Sequence, residues 1–438
     1  MSLFVSGIGI EKVAMIHYVY RIVERISPLL TGYRYMKRLV LKNRALLYRS
    51  YYAWKSKKYA LAAAEAGRKI KVAFMMWTPA LWKNDALFRA MLDHPLYEPI
   101  LWISAIGENN GDLKQQRLFQ CEEYAKNNNY PYYISDSFDE FRLSHKPDYV
   151  FVVQPYDPQI PFTLYQLKGV IPCYVPYAYC TLLDDFLYRG IKLQGFYKCY
   201  VESEYIREML SSYMLNKGAN LVASGLPIAT QLRTPIRQSV WPAFSKNKVK
   251  LIWAPHWTIS TMETHFLALS SFLELADDIL KLVRQRDDIS VAFKPHPWLK
   301  ERLYNAPTWG KVRTDAYFQA WAAGSNTFVA EGDYVALFQQ SDAIIHDSSS
   351  FIHEYLLVDK PSMFLERADI KANFTESTLR ALECYQRGRT ILEVEAFIAK
   401  VKKGEDPMEE KRRAFVSSYL YPDGISPVDY IIDDLLNP

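Results

Sequence analysis

Three short polar segments of this 438-residue sequence contain side chains that could hold phosphate groups. Each follows an apolar run typical of a buried strand: Trp253 to Trp257, Lys294 to Pro297, and Asp347 to Ser350. Because parallel strands of one sheet end at the same edge, polar residues that follow them share that edge. Imidazole, ammonium, hydroxyl and backbone N–H groups are the donors that neutralise a diphosphate. The three segments together predict a phosphate-binding wall.

The candidate residues of this wall differ in their expected roles. His296 lies between two prolines that restrict the turn, so its imidazole is held with little freedom and is the first candidate for a catalytic group. The predicted donor-binding and phosphate-binding residues are Lys294, His256, Trp257, Asp347, Ser348, Ser349 and Ser350. The dipole of the helix that follows the serines would add partial positive charge. Capping of that helix is the alternative role for a serine, and a structural role is the alternative for His256, His346 and His353.

The elements that must position these turns alternate between strand and helix. Six strand candidates between Val72 and Ser224, and five more between Lys250 and Leu365, are separated by helical patterns. This alternation predicts an α/β fold of two Rossmann-like domains that face each other across a cleft. The predicted segments are a basic helical extension (1–70), an N-terminal Rossmann-like domain (71–226), a linker with three prolines (227–248), a C-terminal Rossmann-like domain (249–405) and C-terminal helices (406–438).

Charge sets residues 1–70 apart from the rest of the chain. They contain 14 basic and 3 acidic residues, whereas residues 71–438 contain 39 basic and 45 acidic residues. On a helical wheel, residues 34–58 place Arg34, Arg38, Lys42 and Arg49 on one face, with apolar and aromatic residues near the other. Such a segment suits the headgroup region of an anionic membrane. We therefore expect residues 1–70 to bind the inner face of the cell membrane, with packing on the body or on a second subunit as the alternative.

Composition narrows the class of protein. Half of the residues are hydrophobic and 15% are aromatic, which indicates a folded chain. The sequence shows no secretory signal, no apolar run of transmembrane length, no GxGxxG or Walker loop, and no metal-binding spacing among its five cysteines. We therefore expect a cytoplasmic protein without a metal or a permanently bound cofactor and without a nucleic-acid partner. A homo-oligomer is compatible with the sequence.

The ordered set of turns resembles the C-terminal half of the CDP-glycerol glycerophosphotransferase family, the teichoic-acid and capsule polymerases, which have a GT-B fold. The family's W/Y-A-P-T, K-P-H-P and D-Y-S-S turns, with a later K-P, match Trp253–Pro255, Lys294–Pro297, Asp347–Ser349 and Lys360-Pro361. The resemblance covers roughly residues 220–370. It implies that His296 contacts the pyrophosphate of CDP-glycerol, the donor substrate, and that Ser348 and Ser349 bind phosphate.

The N-terminal half departs from that family on the acceptor side. The family's Trp-His-Gly-Thr turn carries a histidine assigned as the base for the acceptor hydroxyl, whereas the corresponding segment here, Tyr174 to Tyr179, contains none. Carboxylates near the strand ends are the candidates for this role. The predicted catalytic carboxylates are Asp184 and Asp185, and the other acceptor-side candidates are Asp85, Asp157 and Tyr177.

The sequence thus predicts a transferase that moves glycerol phosphate, or a related polyol phosphate, from a CDP-activated donor to a hydroxyl of a glycan or lipid-linked acceptor. Release of CMP would accompany the synthesis of a cell-surface polymer. A GT-B glycosyltransferase that uses a CMP-sugar, sialic acid or Kdo, is the alternative, since such enzymes also combine a His-Pro turn with a serine turn. A catalytically silent scaffold recruited to membranes is the second alternative.

Overall fold

The computed structural model describes residues 47, 49–108, 110–153, 167, 169–182, 193–259, 268–332, 334–367, 374–421 and 424–438. The predicted acceptor-side residues Asp157, Asp184 and Asp185 lie outside these residues, as does most of the amphipathic segment 34–58. Their assignments stay predictions.

The first domain is built on a parallel sheet in which seven strands of the described chain follow the order β3-β2-β1-β4-β5-β6-β7. The strands are β1 (Ile70–Met76), β2 (Tyr97–Ile103), β3 (Tyr132–Ile134), β4 (Tyr149–Val152), β5 (Ile171–Tyr174), β6 (Lys198–Val201) and β7 (Leu221–Ala223). Six of them confirm strands predicted from apolar runs. The edge strand β3 was not predicted because it has only three residues, none of them fully buried.

Helices cover both faces of this sheet. A helix over residues 49–66 (α1) precedes β1, and its Tyr52, Ser56 and Ala63 are buried against the domain. The remaining helices of the domain are α2 (Asp85–Asp93), α3 (Gly111–Asn127), α4 (Phe138–His145) and α5 (Glu204–Tyr213). A helical N-terminal region therefore packs on the first domain through one of its faces.

The second domain repeats the architecture with a parallel sheet whose six described strands follow the order β10-β9-β8-β11-β12-β13. The strands are β8 (Val249–Ala254), β9 (Ile289–Phe293), β10 (Thr327–Val329), β11 (Ala343–His346), β12 (Ser362–Leu365) and β13 (Gln386–Gly388). Its helices are α7 (Phe272–Arg284), α8 (Leu299–Tyr304), α9 (Gly310–Ala322), α10 (Val335–Gln340), α11 (Phe351–Glu354), α12 (Glu376–Leu382) and α13 (Ile391–Lys402). Helix α11 continues as a 3-10 turn at Tyr355–Val358. The β8, β9 and β11 strands, which precede the three polar turns, are neighbours at the centre of this sheet.

The apolar pattern of residues 262–284 predicts a helix that, among the described residues, begins only at Phe272. Residues 268–271 are not helical, and α7 begins at Phe272. Ser270 and Ser271 instead turn toward β11, where both hydroxyls donate hydrogen bonds to Asp347. The apolar periodicity extends past the true helix start because the residues before Phe272 are also buried, although in a turn.

The chain crosses between the domains twice. Helix α6 (Pro227–Arg233) begins the segment that the sequence assigned to the linker, and its Ile228, Ala229 and Leu232 are buried in the core of the second domain. After α14 (Glu409–Phe415), the final helix α15 (Pro427–Leu436) returns to the first domain. There Lys198 pairs with Asp434 at 2.7 Å. No helix in the described ranges is long and apolar enough to cross a membrane.

Candidate active site

The three polar turns predicted from the sequence meet at one edge of the second sheet. The His296 amide donates a hydrogen bond to the Pro255 carbonyl at 3.0 Å, and the His256 amide donates to the Asp347 carboxylate at 2.5 Å. The first hydrogen bond ties the turn after β9 to the turn after β8. The second ties the turn after β8 to the turn after β11. The chain's own hydrogen bonds therefore connect the three turns.

Four rings from two of these turns form a compact cluster. The ring centroids of His256 and His296 lie 5.3 Å apart, and Trp257 lies 6.0 Å from His296. Trp298 lies 5.3 Å from Trp257 and 5.6 Å from His296. On the far side, the Arg302 guanidinium lies 5.1 Å from the Trp257 ring centre. The half-buried Trp257 thus offers an aromatic face and a neighbouring positive charge at the rim of the wall.

The hydrogen bonds of His296 assign its proton. Its Nδ1 accepts the backbone N–H of Trp298 at 3.2 Å, so the ring proton of the neutral form lies on Nε2. Burial, together with the Lys294 ammonium, lowers the pKa of His296 below its ordinary value. At neutral pH the free enzyme therefore presents a neutral imidazole with one N–H donor, and an anionic ligand would favour its protonated form.

His256 and Lys294 are held by the protein itself. The Nδ1 of the buried His256 lies 2.8 Å from the Thr258 hydroxyl, and burial lowers its pKa well below the ordinary value. The Lys294 ammonium donates to the Gly332 carbonyl at 3.0 Å, which places it beside the loop that follows β10. Both residues lie at the wall, and Lys294 also fixes the adjoining loop.

Asp347 is the central acceptor of the wall. It is 1% exposed, and its Oδ2 accepts hydrogen bonds from the Ser271 amide at 2.8 Å and from the Ser271 and Ser270 hydroxyls. With the His256 amide on Oδ1, both carboxylate oxygens face donors of the chain. Burial raises the pKa of Asp347 to about 6, although these hydrogen bonds act in the opposite direction. Donors of the chain therefore occupy both carboxylate oxygens of Asp347 and connect the turns after β8 and β11 with the residues before α7, and its role in binding the donor substrate stays a prediction.

Replacing Asp347 is expected to destabilise the wall. In Asp347→Ala the buried amides of His256 and Ser271 lose their acceptor, which should lower the free energy of unfolding by about 3 kcal/mol. Because the folded pKa is raised, the stabilisation by Asp347 is fully present below the unfolded pKa and is lost as the pH rises through about 6. Urea titrations should therefore show a larger difference between wild type and variant at about pH 5 than at about pH 8.

The matched control is Asp342→Ala, at the other end of the same strand. The Asp342 carboxylate is exposed and accepts the Lys250 amide at 2.7 Å, so its loss should cost less than about 1 kcal/mol. Equal effects of the two substitutions would contradict the central role of Asp347.

The serine turn has hydroxyls that the protein does not use as caps. Ser350 is the residue before α11, and its side chain accepts no hydrogen bond from that helix. The Ser348 amide donates to Nδ1 of the buried His346 at 3.2 Å, which fixes the backbone of the turn. Because α11 has four residues before it tightens into a 3-10 turn, its dipole is weaker than the sequence predicted. Hydroxyl groups remain the main donors of this turn.

A buried ion pair joins the serine turn to the first domain. Lys83, in the loop after β1, donates to the Glu354 carboxylate at 3.4 Å and to the Tyr334 hydroxyl. The Tyr334 hydroxyl also donates to Glu354. The Lys83 side chain is 11% exposed and the Glu354 side chain 0%, and burial raises the pKa of Glu354. A buried ion pair therefore links the loop after β1 of the first domain to α11 of the second.

The described acceptor-side candidates are not brought together in one cluster. Both oxygens of Asp85 are engaged inside the first domain by Tyr130 at 2.6 Å, Tyr124 at 2.9 Å and Arg89 at 2.8 Å. These contacts hold Asp85 within the first domain, and its acceptor-side role stays a prediction. Tyr177 is half-buried in the turn after β5.

Several residues at the interface were not predicted from the sequence. Glu202 follows β6, accepts the Cys180 amide at 2.6 Å, and has its pKa raised to about 7 by burial. Asn84 is buried, and neither polar atom of its side chain has a partner among the described residues. In the sequence, the position of Glu202 at the end of a predicted strand could have marked it as a candidate. No local pattern marks Lys83 or Glu354, which meet across 271 residues of sequence.

Two facing Rossmann-like domains with a wall of polar turns at the cleft define the GT-B class. A model of the family described as CDP-glycerol:poly(glycerophosphate) glycerophosphotransferase matches residues 200–428, which is more than half of the chain. The chain belongs to this family and is an enzyme of the CDP-glycerol glycerophosphotransferase type. No curated protein matched in sequence.

Solved structures support the same fold at low sequence identity. A histidine-to-asparagine variant of the wall teichoic acid polymerase TagF is 14% identical with a TM-score of 0.55, over 93% of this chain and 97% of that chain. The UDP-GlcNAc 2-epimerase from Neisseria meningitidis bound to UDP-GlcNAc is 13% identical with a TM-score of 0.52, over 84% of this chain and 99% of that chain. The MnaA–UDP structure from S. aureus is 14% identical with a TM-score of 0.52, over 84% of this chain and 97% of that chain.

Proposed function

We propose that this enzyme transfers glycerol phosphate, or a related polyol phosphate, from a CDP-activated donor to a hydroxyl of a glycan or lipid-linked acceptor in teichoic-acid or capsule synthesis. The observation that carries the proposal is the joined wall of His256, His296 and the serine turn, in a chain of this family. A TagF structure soaked with CDPG has the same fold, with a TM-score of 0.53.

In this proposal the wall binds the diphosphate and stabilises the departing CMP. His296 donates its Nε2–H to a phosphate oxygen, because its Nδ1 is already occupied by the Trp298 amide. Ser348, Ser349 and Ser350 add hydroxyl donors, and Trp257 offers its ring to the cytosine base. Phosphoryl transfer depends chiefly on positioning and on neutralising charge, so these donors suit the reaction.

The experiment that tests this function measures the release of CMP, or of UDP from the UDP-sugar, from a panel of nucleotide donors. The purified full chain is incubated with CDP-glycerol, CDP-ribitol, CMP-sialate, CMP-Kdo and UDP-GlcNAc, with and without a polyol-phosphate primer. We expect primer-dependent turnover of a CDP-polyol. Turnover of a CMP-sugar would favour glycosyl transfer, and binding of cytidine nucleotides without turnover would favour the scaffold.

We also propose that the exposed face of α1 and the residue before it bind an anionic membrane on the cytoplasmic side. Opposite its packed face, exposed apolar and aromatic residues follow one another at helical spacing. They are Leu47 (72% exposed), Tyr51 (47%), Trp54 (60%) and Leu61 (57%). The Lys58 ammonium lies 5.8 Å from the Trp54 ring centre, within the basic segment 1–70. Apolar and basic side chains on one exposed face fit the boundary between headgroups and acyl chains.

The substitutions Tyr51→Asp and Trp54→Asp together are expected to release the protein from vesicles that contain phosphatidylglycerol. They remove apolar area and add negative charge on the exposed face, while the packed residues Tyr52 and Ser56 are unchanged. Co-sedimentation measures binding, and circular dichroism checks that the fold is kept. The control is Val312→Asp at an 86% exposed position of the second domain, and equal binding by both variants would refute the proposal.

A further inference from the structure

The turn after β8 has an imidazole at the position where the family pattern has a hydroxyl. The W/Y-A-P-T turn of the family ends in threonine, whereas the same turn here continues from Pro255 to His256. In the second sheet β8 lies between β9 and β11, so the turn with His256 lies between the turn with His296 and the serine turn. A diphosphate that contacts both His296 and the serine hydroxyls therefore passes His256.

The hydrogen bonds of the His256 ring assign its proton. The backbone N–H of Thr258 is directed at Nδ1 at 3.4 Å, and an N–H group can only donate. The Thr258 hydroxyl lies 2.8 Å from the same nitrogen and accepts the Leu269 amide at 3.1 Å, so its own proton is available for Nδ1. Burial, with a smaller effect of the neighbouring His296, lowers the pKa of His256 well below its ordinary value. The ring is therefore neutral, and its proton lies on Nε2.

His256 and His296 present their Nε2–H groups in the same way. In each ring Nδ1 accepts the amide of the residue two positions later, Thr258 or Trp298, so the Nε2 edge points away from the ring's own turn. Neither Nε2 has a hydrogen-bond partner among the residues that the structure describes, and neither is among the polar atoms that are both buried and unpaired there. Both N–H groups are therefore accessible to a ligand, on rings whose centroids lie 5.3 Å apart.

The position of His256 also indicates which phosphate it meets. The serine turn, on the far side of His256 from His296, is followed by Glu354, which pairs with Lys83 of the first domain. His256 is thus nearer than His296 to the side from which an acceptor in the first domain would approach. Two neutral imidazoles can lie side by side without the repulsion that two imidazolium ions would have, so both can donate to one polyanion.

We propose that the Nε2–H of His256 binds the β-phosphate of the donor while that of His296 binds the α-phosphate, so that the two imidazoles hold both phosphates of a cytidine diphosphate. This inference rests on the proposed function, in which His296 stabilises the departing CMP. The CMP product has no second phosphate and loses the contact with His256. His256 therefore distinguishes the diphosphate of the donor from the monophosphate of the product.

The test measures the affinity of the full chain for CDP and for CMP by calorimetry, with the variants His256→Asn and His256→Gln. The asparagine amide can still accept the Thr258 hydroxyl at the position of Nδ1 but places no N–H at the position of Nε2, which the longer glutamine reaches. His256→Asn should raise the Kd for CDP about 10-fold, the loss expected for one hydrogen bond to a charged group, and leave the Kd for CMP within about twofold. His256→Gln should recover most of the CDP affinity. The control is His94→Ala, a histidine at the end of α2.

A second measurement needs no substitution in the wall. In the wild-type chain, with histidine labelled by the NMR-active nitrogen isotope, CDP should shift the Nε2 resonances of two histidines. CMP should shift that of His296 and leave that of His256 in place, because CMP lacks the phosphate that His256 contacts.

Three results would overturn the inference. They are wild-type CDP affinity in folded His256→Asn, an equal loss of CDP and CMP affinity in that variant, and a loss of CDP affinity in His256→Gln as large as in His256→Asn. If His256→Asn does not fold, the wild-type resonances decide, and identical shifts with CDP and CMP would overturn the inference as well. Failure of wild type to bind CDP would instead refute the proposed function, whatever the His256 variants do.

Discussion

His296→Ala is expected to lower the rate of CMP release from a CDP-polyol by about 10³-fold, because it removes a donor directed at the charge that develops on the leaving group. The free energy of unfolding should stay within about 1 kcal/mol, since the backbone amide of His296, not its ring, ties the turn to Pro255. Steady-state kinetics measure the first effect and urea denaturation the second.

His296→Asn is the informative companion variant. An amide can accept the Trp298 N–H and still donate to a phosphate oxygen, so it should recover part of the lost rate. His94→Ala again serves as the remote control. Near-normal turnover in purified, folded His296→Ala would remove His296 from the transfer mechanism.

Lys83→Met is expected to lower the free energy of unfolding by about 3–5 kcal/mol, because it leaves the Glu354 carboxylate buried without a counter-charge. The methionine keeps the length of the side chain, so the loss of charge rather than a cavity accounts for the effect. Donor turnover should also fall, since Glu354 follows the serine turn by four residues. Chemical denaturation at about pH 7.5 measures the stability change.

The double variant Lys83→Met with Glu354→Gln should recover most of this loss, since both charges are then absent. The matched surface control is Arg207→Met, which breaks an exposed i,i+3 pair with Glu204 and should cost less than about 1 kcal/mol. An effect of Lys83→Met no larger than that of Arg207→Met would show that the link between the domains contributes little.

The donor side of the cleft follows from local sequence. The strands before Trp253–Trp257, Lys294–Pro297 and Asp347–Ser350 are apolar runs, and prolines or polar residues end each of them. In a parallel sheet such ends share one edge, so the order of the motifs was sufficient to place them together. The family match over residues 200–428 confirms the resemblance drawn from these turns.

Roles within the wall were less predictable than its position. Asp347 was predicted to bind the donor substrate, and the structure adds that its carboxylate accepts hydrogen bonds from the turn after β8 and from the residue before α7. The latter contact depends on Ser270 and Ser271, which apolar periodicity placed inside a longer helix. A sequence pattern reports burial and period, whereas the partner of a buried carboxylate depends on which chain segments pack over it.

The sequence by itself determined the two parallel sheets, the order of the three turns and the place of His296 in one of them, because strand period and turn chemistry act over a few residues. Only the tertiary structure decided what lies opposite that wall. Lys83 with Glu354, and Tyr179 with His353, meet across separate domains. Such contacts depend on how two independently patterned domains pack, and no local spacing encodes that packing. This is the physical reason why these contacts could be found only from the structure.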